Sequence, residues 1–164
     1  MPTPLSVTHD FAANPAAVYA LLTDRSFLDG RLTETGGLDP SVVSLDVDGD
    51  TAKVVTRQSI PSSSLPSMVA SMIPGDPVTE RTEAWRAEAE GHVADFSVVI
   101  KGAPATLKGT MILAAAGTGS TLTVQGQASV PIPLFGGKIE AIVAEQVTAQ
   151  LNREAVYTAT ALTS

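Results

Sequence analysis

The sequence predicts an α+β fold in which a curved antiparallel sheet of about seven strands wraps around one long C-terminal helix. Three observations predict it. The chain has 164 residues, a length that suits one domain with its own core. Short segments along most of the chain alternate apolar and polar residues. Residues 138–160 contain neither Gly nor Pro, as a long helix requires. We therefore expect residues 1–164 to form a single domain.

The first segments predict a strand followed by a short capped helix. The inward positions of the strand alternate with polar residues and are Leu5, Val7, His9 and Phe11. Asn14-Pro15 then has the residue types of an N-cap and a first helical position, and residues 16–23 continue as a helix. Residues 24–38 are mixed in character, and we expect a helical turn or a loop that ends at Gly36-Gly37.

A β-hairpin is predicted next, because Asp48-Gly49 separates two alternating segments. The first of these contains Val43, Leu45 and Val47, and its partner covers residues 51–59. Four more strands follow, at residues 78–87, 93–100, 107–115 and 121–130.

The last strand has the most regular alternation. We expect one face to contact the long helix, through Leu122, Val124, Ala128 and Val130. The other face should meet solvent, through Thr121, Thr123, Gln125 and Gln127. A register slip of one residue would invert every position.

Residues 61–77 interrupt the strands and are rich in Pro and Ser around an apolar centre, formed by Met68, Val69, Met72 and Ile73. Two interpretations stay open. The segment is a mobile lid over a cavity mouth, where methionine adapts to irregular apolar surfaces, or it is a short helix packed permanently on the core.

Pro131 and Pro133 end the sheet, and the helix that follows would be about 35 Å long. One stripe of this helix contains Ile139, Val143, Gln146, Gln150 and Tyr157, with Glu154 at its edge. Polar groups buried on that stripe would need partners, namely waters, a ligand, or His9 and Tyr19. Alternatively, a rotation of the helix by about 60° leaves Gln146 and Gln150 at the margin of the sheet.

Two stretches of sequence carry a resemblance to a known superfamily: LSVTHDFAANPAAVYALLTD at the start and VPIPLFGGKIEAIVAEQVTAQLNREA at the close. With the element order above, they resemble the START and Bet v 1-like (SRPBCC) superfamily, and within it an uncharacterised bacterial branch known only as a domain of unknown function. The resemblance implies the helix-grip fold and a cavity between sheet and helix that takes lipids, sterols, polyketides or other apolar ligands. Some members are cyclases, hydroxylase components or dehydratases and others are transfer proteins, so the fold does not dictate the chemistry.

Composition argues against several other functions. The net charge is −7, from 17 acidic and 10 basic residues, and no basic cluster is present to bind nucleic acid. The longest weakly polar stretch is far shorter than the roughly 20 residues of a membrane span, so no stable membrane insertion is expected. The absence of a readable signal sequence and of cysteine fits a cytoplasmic protein.

No motif for a cofactor, a metal or a catalytic group is present. Nucleotide-binding and nucleophile-elbow motifs are missing, and the two histidines, His9 and His92, lack metal-ligand spacing. Asp46, Asp48 and Asp50 flank a turn, which favours solvated side chains, with a weak calcium site as the alternative. We expect no cofactor, no metal and no identified catalytic residue.

Ten residues are candidates for a ligand cavity: His9, Met68, Met72, Trp85, Phe96, Met111, Phe135, Val143, Gln146 and Gln150. His9 is either a cavity base or donor or a packed histidine bound to a backbone carbonyl. Trp85 either caps the cavity or packs in the sheet. For His92 a role in the preceding turn is expected.

The sequence leaves three functional interpretations. The leading one is binding or transport of an apolar small molecule or lipid. The second is a small cyclase or dehydratase acting on a polyketide-like substrate, chiefly by positioning it. The third is an interaction subunit without a ligand. The sequence assigns neither the ligand nor the oligomeric state.

Overall fold

Seven antiparallel strands and four helices make up the computed structural model, which describes residues 2–73 and 75–163. The strands are β1 (Thr3–Phe11), β2 (Leu38–Asp48), β3 (Thr51–Ser59), β4 (Val78–Glu88), β5 (Gly91–Ile100), β6 (Thr106–Ala116) and β7 (Gly119–Ser129). The helices are α1 (Pro15–Leu22), α2 (Arg25–Thr35), α3 (Ser67–Ala70) and α4 (Gly136–Leu162), with a 3₁₀ turn at Ser62–Ser64. The strands form one sheet in the order β1-β7-β6-β5-β4-β3-β2. Because this curved sheet packs around α4, the predicted fold class is confirmed.

The two helices after β1 begin at side-chain caps. The Asn14 side chain accepts a hydrogen bond from the Ala17 N–H at 2.9 Å, as the sequence predicts. Asp24 accepts one from the Phe27 N–H at 2.9 Å and starts α2. Residues 25–35 therefore form a full helix and not a turn or loop. The apolar pattern concealed this helix because one of its buried positions is an arginine, Arg31.

The predicted β2–β3 hairpin is present, and Gly49 at its turn has a φ of 60°. The alternation in β2 is broken by a bulge, however. Val42 pairs with Thr56 and Ser44 pairs with Val55, which leaves Val43 as an extra residue. Val42 is consequently buried while Val43 is exposed. Val43 therefore leaves the expected face, whereas Leu45 and Val47 pair with the buried Val54 and Ala52.

The predicted faces of β7 are confirmed. Three side chains on its inner face, and that of Val130 directly after the strand, are at most 9% exposed; the three are Leu122, Val124 and Ala128. On the other face Gln125 and Gln127 are exposed, and Thr121 and Thr123 are half-buried. The inner face of β7 and that of β1 contact α4.

Helix α4 begins two residues earlier than predicted, at Gly136. A Cβ on Gly136 would collide with the carbonyl oxygen of Val130, so the chain can enter the helix this closely only with glycine. Inside the first turns, the buried Glu140 carboxylate accepts hydrogen bonds from the Val130 N–H at 2.9 Å and the Thr3 hydroxyl at 3.1 Å. These contacts attach the start of the helix to the ends of β7 and β1.

The rotation of α4 settles the two alternatives for its polar stripe. Gln146 is exposed and Gln150 is half-buried, so both lie toward the margin of the sheet. Glu154 is buried instead, together with Ile139, Val143 and Leu151. Across the described part of the chain, no helix is long and apolar enough to cross a membrane.

Candidate ligand site

The segment between β3 and β4 packs as a short helix over one end of the sheet. Val69 in α3 is 4% exposed, while Met68 and Ile73 are half-buried against the core and Met72 is exposed. Hydrogen bonds close the base of the segment, from the Ile60 N–H to the Pro77 carbonyl at 2.8 Å and from the Ser62 N–H to Asp76 at 2.8 Å. The predicted helix is thus present, and its mobility stays a prediction.

An apolar chamber of about 120 Å³ lies between α3, the ends of β5 and β7, and the first turns of α4. Its walls include Val69, Met72, Ile100, Val130, Ile139 and Val143. Polar side chains are scarce in this wall. The space suits a hydrocarbon or aromatic group, because burial of such a group in an apolar surround is favourable.

A second, polar chamber of about 290 Å³ adjoins it, between α2, β3, β4 and α4. The two chambers share part of their lining: Ile60, Thr79, Val98, Gln146 and Val147. The remainder of the polar chamber contains the side chains of Arg31, Thr56, Gln58, Arg81, Gln150 and Glu154, with Arg153 at the mouth. One site therefore has a polar end and an apolar end.

A buried ion cluster forms the floor of the polar chamber. One terminal nitrogen of Arg81 donates to both carboxylate oxygens of Glu154, at 2.9 and 2.8 Å. Two nitrogens of the same guanidinium contact one carboxylate oxygen of Glu83, Nε at 2.8 Å and Nη2 at 2.7 Å. The Trp85 indole N–H donates to the other oxygen of Glu83 at 3.0 Å. Such multiple charge-assisted hydrogen bonds offset the cost of removing ions from water.

The protonation states follow from these contacts. Burial opposes ionisation of Glu154, but the charges of Arg31 and Arg81 and the hydrogen bond from Gln150 outweigh it and hold its pKa at about 2. Burial likewise lowers the pKa of Arg81, whereas Glu154 and Glu83 raise it further, so the net shift is upward. Arg81 and Glu154 are therefore both charged at neutral pH.

Arg31 is the less well-partnered cation of the site. Its side chain is 4% exposed, and its terminal nitrogen lies 3.6 Å from Glu154. The guanidinium also lies 6.0 Å from the centre of the Phe27 ring. Its Nε is buried and has no hydrogen-bond partner among the residues that the structure describes. Glu154 is thus ion-paired with both arginines, but of the two only Arg81 lies close enough to donate hydrogen bonds to it.

Four of the ten predicted cavity residues line the two chambers. Met72 and Val143 lie in the apolar chamber, Gln150 lies in the polar one, and Gln146 contributes to both. The Gln150 amide also donates to Glu154 at 2.9 Å, so it is satisfied within the protein.

Three others belong to the core beneath the site. Trp85, Phe96 and Met111 are each 2% exposed. The Arg81 guanidinium carbon lies 5.2 Å from the centre of the Phe96 ring. Trp85 packs edge-on against Tyr19. Trp85 thus packs in the sheet, which was one of its two predicted environments. The three side chains form part of the core on which the chambers rest.

The last three lie outside both chambers. His9 is half-buried, and its Nε2 lies 2.8 Å from the side-chain oxygen of Asn152 on α4. It therefore contacts a side chain and not the backbone carbonyl considered above. Met68 lies on α3, packed against the core, and Phe135 is exposed just before α4.

The second histidine occupies a different environment from the turn expected for it. His92 lies within β5 and stacks on Tyr19 with 3.9 Å between the ring centres. Burial lowers the pKa of His92, and the nearby Asp50 charge opposes this only in part. Over the described residues no group of three His, Cys, Asp or Glu side chains could hold a metal ion, and Asp46, Asp48 and Asp50 are exposed.

Four charged residues of the site were not predicted from the sequence: Arg31, Arg81, Glu83 and Arg153. A signal for two of them exists in β4, where Arg81 and Glu83 occupy the same face as Trp85 at a spacing of two residues. The buried tryptophan therefore marks these charges as inward-facing. For Arg31 the signal is weaker, since it requires α2 to be recognised first through its cap at Asp24.

Comparison with known proteins identifies relatives of unknown function. The sequence profile of a family described as "Protein of unknown function (DUF2505)" matches residues 6–162. An uncharacterized protein of Mycobacterium tuberculosis is 30% identical over 166 residues, which cover 96% of this chain and 95% of the relative.

Solved structures share the fold at low sequence identity. A protein from Thermus thermophilus, TTHA0849, superimposes with a TM-score of 0.63 at 18% identity, covering 97% of this chain and 99% of the other. The Zhui aromatase/cyclase from Streptomyces sp. R1128 has a TM-score of 0.59 at 11% identity, covering 96% and 94%. At these identities the likeness extends to the fold.

Proposed function

The chain belongs to the DUF2505 family of proteins of unknown function, and we propose that it binds an apolar small molecule or lipid between its sheet and α4. In this respect it would resemble the START and Bet v 1-like superfamily, whose fold it shares. The observation that carries the proposal is the apolar chamber of about 120 Å³ adjoining the polar chamber of about 290 Å³. Taken together they reach the lower end of small-molecule sites, roughly 300–1,000 Å³.

The lining of the site supports binding through apolar contact at one end and fixed polar groups at the other. The apolar wall is held in place by the core, because four of its side chains are each at most 8% exposed: Val69, Val130, Ile139 and Val143. Met72 at the rim is exposed, and its flexible side chain can adjust to an entering ligand.

A cyclase-type enzyme is the second candidate, favoured by the buried Arg81–Glu154 pair beneath the polar chamber. Such a pair could orient a polar substrate group or stabilise developing charge. The pKa of Glu154 is held at about 2, however, so this carboxyl group is not a proton donor at neutral pH. Binding is therefore the better-supported function.

The test compares two tryptophan variants on the same helix. Val143→Trp fills the apolar chamber, whereas Val156→Trp adds the same side chain at a position that is 68% exposed. The probe is N-phenyl-1-naphthylamine, a neutral dye that fluoresces in apolar surroundings. We expect the wild type and Val156→Trp to bind it equally, and Val143→Trp to bind at least tenfold more weakly. Equal binding by Val143→Trp, or none by the wild type, would refute the site.

A further inference from the structure

Charge is unevenly distributed between the two chambers. The charged side chains lining them are Arg31, Arg81, Arg153 and Glu154, all in the polar chamber. Glu83 joins them through its contact with Arg81. Three guanidinium groups thus face two carboxylates, which leaves one formal positive charge in excess. This excess is local, since the whole chain has a net charge of −7.

The excess positive charge lies with Arg31 and Arg153, because Arg81 makes the close contacts with both carboxylates, Glu154 and Glu83. Arg81 takes both oxygens of Glu154 and one oxygen of Glu83 at 2.7–2.9 Å. Arg31 reaches Glu154 only at 3.6 Å. Arg153 is exposed at the mouth of the chamber and donates to the side-chain oxygen of Gln150. Among the described residues, neither Arg31 nor Arg153 has the bidentate carboxylate partner that a guanidinium favours.

The state of Arg31 points to a missing partner. The residue is 3% exposed, and its Nε is buried without an acceptor among the described residues. Buried polar groups are as a rule hydrogen-bonded, and each exception calls for an explanation. A buried guanidinium nitrogen without a hydrogen-bond acceptor is especially costly in free energy. An acidic group in the polar chamber would supply both the acceptor and the compensating charge.

From these contacts we propose that the ligand is a monoanionic amphiphile, a carboxylate whose acid group binds Arg31 and Arg153 and whose apolar body occupies the chamber beside Val143. This inference rests on the proposed function and specifies its substrate class. A single negative charge matches the excess of one, whereas a phosphate monoester would exceed it. The boundary residue Gln146, which lines both chambers, marks where the head group of the ligand gives way to its apolar body.

The test compares three probes that differ only in the head group: decanoate, 1-decanol and decyl phosphate. Binding to the full chain is measured by isothermal titration calorimetry at pH 7, where a carboxylate with a pKa of about 4 is ionised. We expect the wild type to bind decanoate at least tenfold more tightly than decanol, since hydrogen bonds to charged groups are the stronger ones. Decyl phosphate should bind no more tightly than decanoate.

Three variants locate the head group. Arg153→Gln changes an exposed residue and should keep the fold, while the preference for decanoate over decanol falls to about threefold or less. Arg31→Gln should have the same effect, provided that circular dichroism shows a folded protein. The matched control is Arg57→Gln, which removes an arginine paired with Glu80 outside both chambers, and it should leave the preference unchanged.

The remaining outcomes separate this inference from the proposed function. Equal affinity of the wild type for decanoate and decanol would refute the acidic head group and leave apolar binding intact. Tighter binding of decyl phosphate would refute the monoanion. A preference that survives both Arg153→Gln and Arg31→Gln would refute the assigned residues. If none of the three probes binds, both the inference and the proposed function fail.

Discussion

Arg81 on β4 donates to both carboxylate oxygens of Glu154 on α4, at 2.9 and 2.8 Å, across 73 residues of sequence. The side chains are 14% and 7% exposed, so the pair is largely withdrawn from water. It joins the middle of the sheet to the long helix at the floor of the polar chamber. Stability and the shape of the site therefore depend on the same contact.

Removing the acid should destabilise the protein strongly. In Glu154→Gln the charges of Arg31 and Arg81 lose a buried counterion, and breaking such pairs typically costs about 3–5 kcal/mol. The measurement is the free energy of unfolding in urea. Glu88→Gln is the control. The Glu88 side chain is 60% exposed, so its ion pair with Arg86 should contribute about 0–1 kcal/mol. Similar losses in the two variants would contradict the structural role of Glu154.

The same carboxylate should make stability depend on pH in the acidic range. Its pKa is about 2 in the folded protein against an ordinary value of 4.5. A lowered pKa stabilises the fold above about pH 4.5, and this contribution, about 3 kcal/mol, is lost as the pH falls toward 2. The check is urea unfolding of the wild type and Glu154→Gln from pH 7 to 3. If the free energy of unfolding fell equally with pH in the two proteins, the lowered pKa of Glu154 would be contradicted.

The helix that carries Arg31 should depend on its cap. Asp24→Ala removes the acceptor of the Phe27 N–H, and we expect a loss of about 1 kcal/mol in the free energy of unfolding. Asp29→Ala serves as control in the same helix, because its contact with Arg25 is an exposed pair at 3.4 Å and contributes little. An effect of Asp29→Ala as large as that of Asp24→Ala would argue against the cap.

His92 should titrate below the ordinary histidine pKa of 6.5, because burial against Tyr19 disfavours its charged form. A lowered pKa means that the neutral ring stabilises the fold above about pH 6.5 and that this contribution declines on acidification. NMR titration of the ring protons measures the value directly. A midpoint above 6.5 would show that the stacked ring does not lie in this buried environment.

Regular alternation explains which parts of the fold were predictable. In β7, Val124 and Gln125 fall on opposite faces as their sequence neighbours predict, because the period of a strand leaves no other choice. The β2 strand shows the limit of this reasoning. A bulge at Val43 inserts one residue and exchanges the faces before it, and the sequence around Val42 contains no mark of it.

The site itself was predictable only in part, because its charges are buried. Val143 and Met72 were identified from their apolar character, and both line the apolar chamber. Arg31 and Glu154 were not paired from the sequence, since charged residues are expected at the surface and the two lie on helices far apart in the chain. Tertiary packing brings the two side chains together, and no local sequence pattern indicates this ion pair.

The most direct test of the central claim is a crystal structure of the protein with decanoate bound. We predict electron density for the ligand between the sheet and α4, with the carboxylate within hydrogen-bonding distance of Arg31 or Arg153 and the alkyl chain against Val143. Density for decanoate elsewhere on the surface, with both chambers unoccupied at saturating ligand, would contradict it.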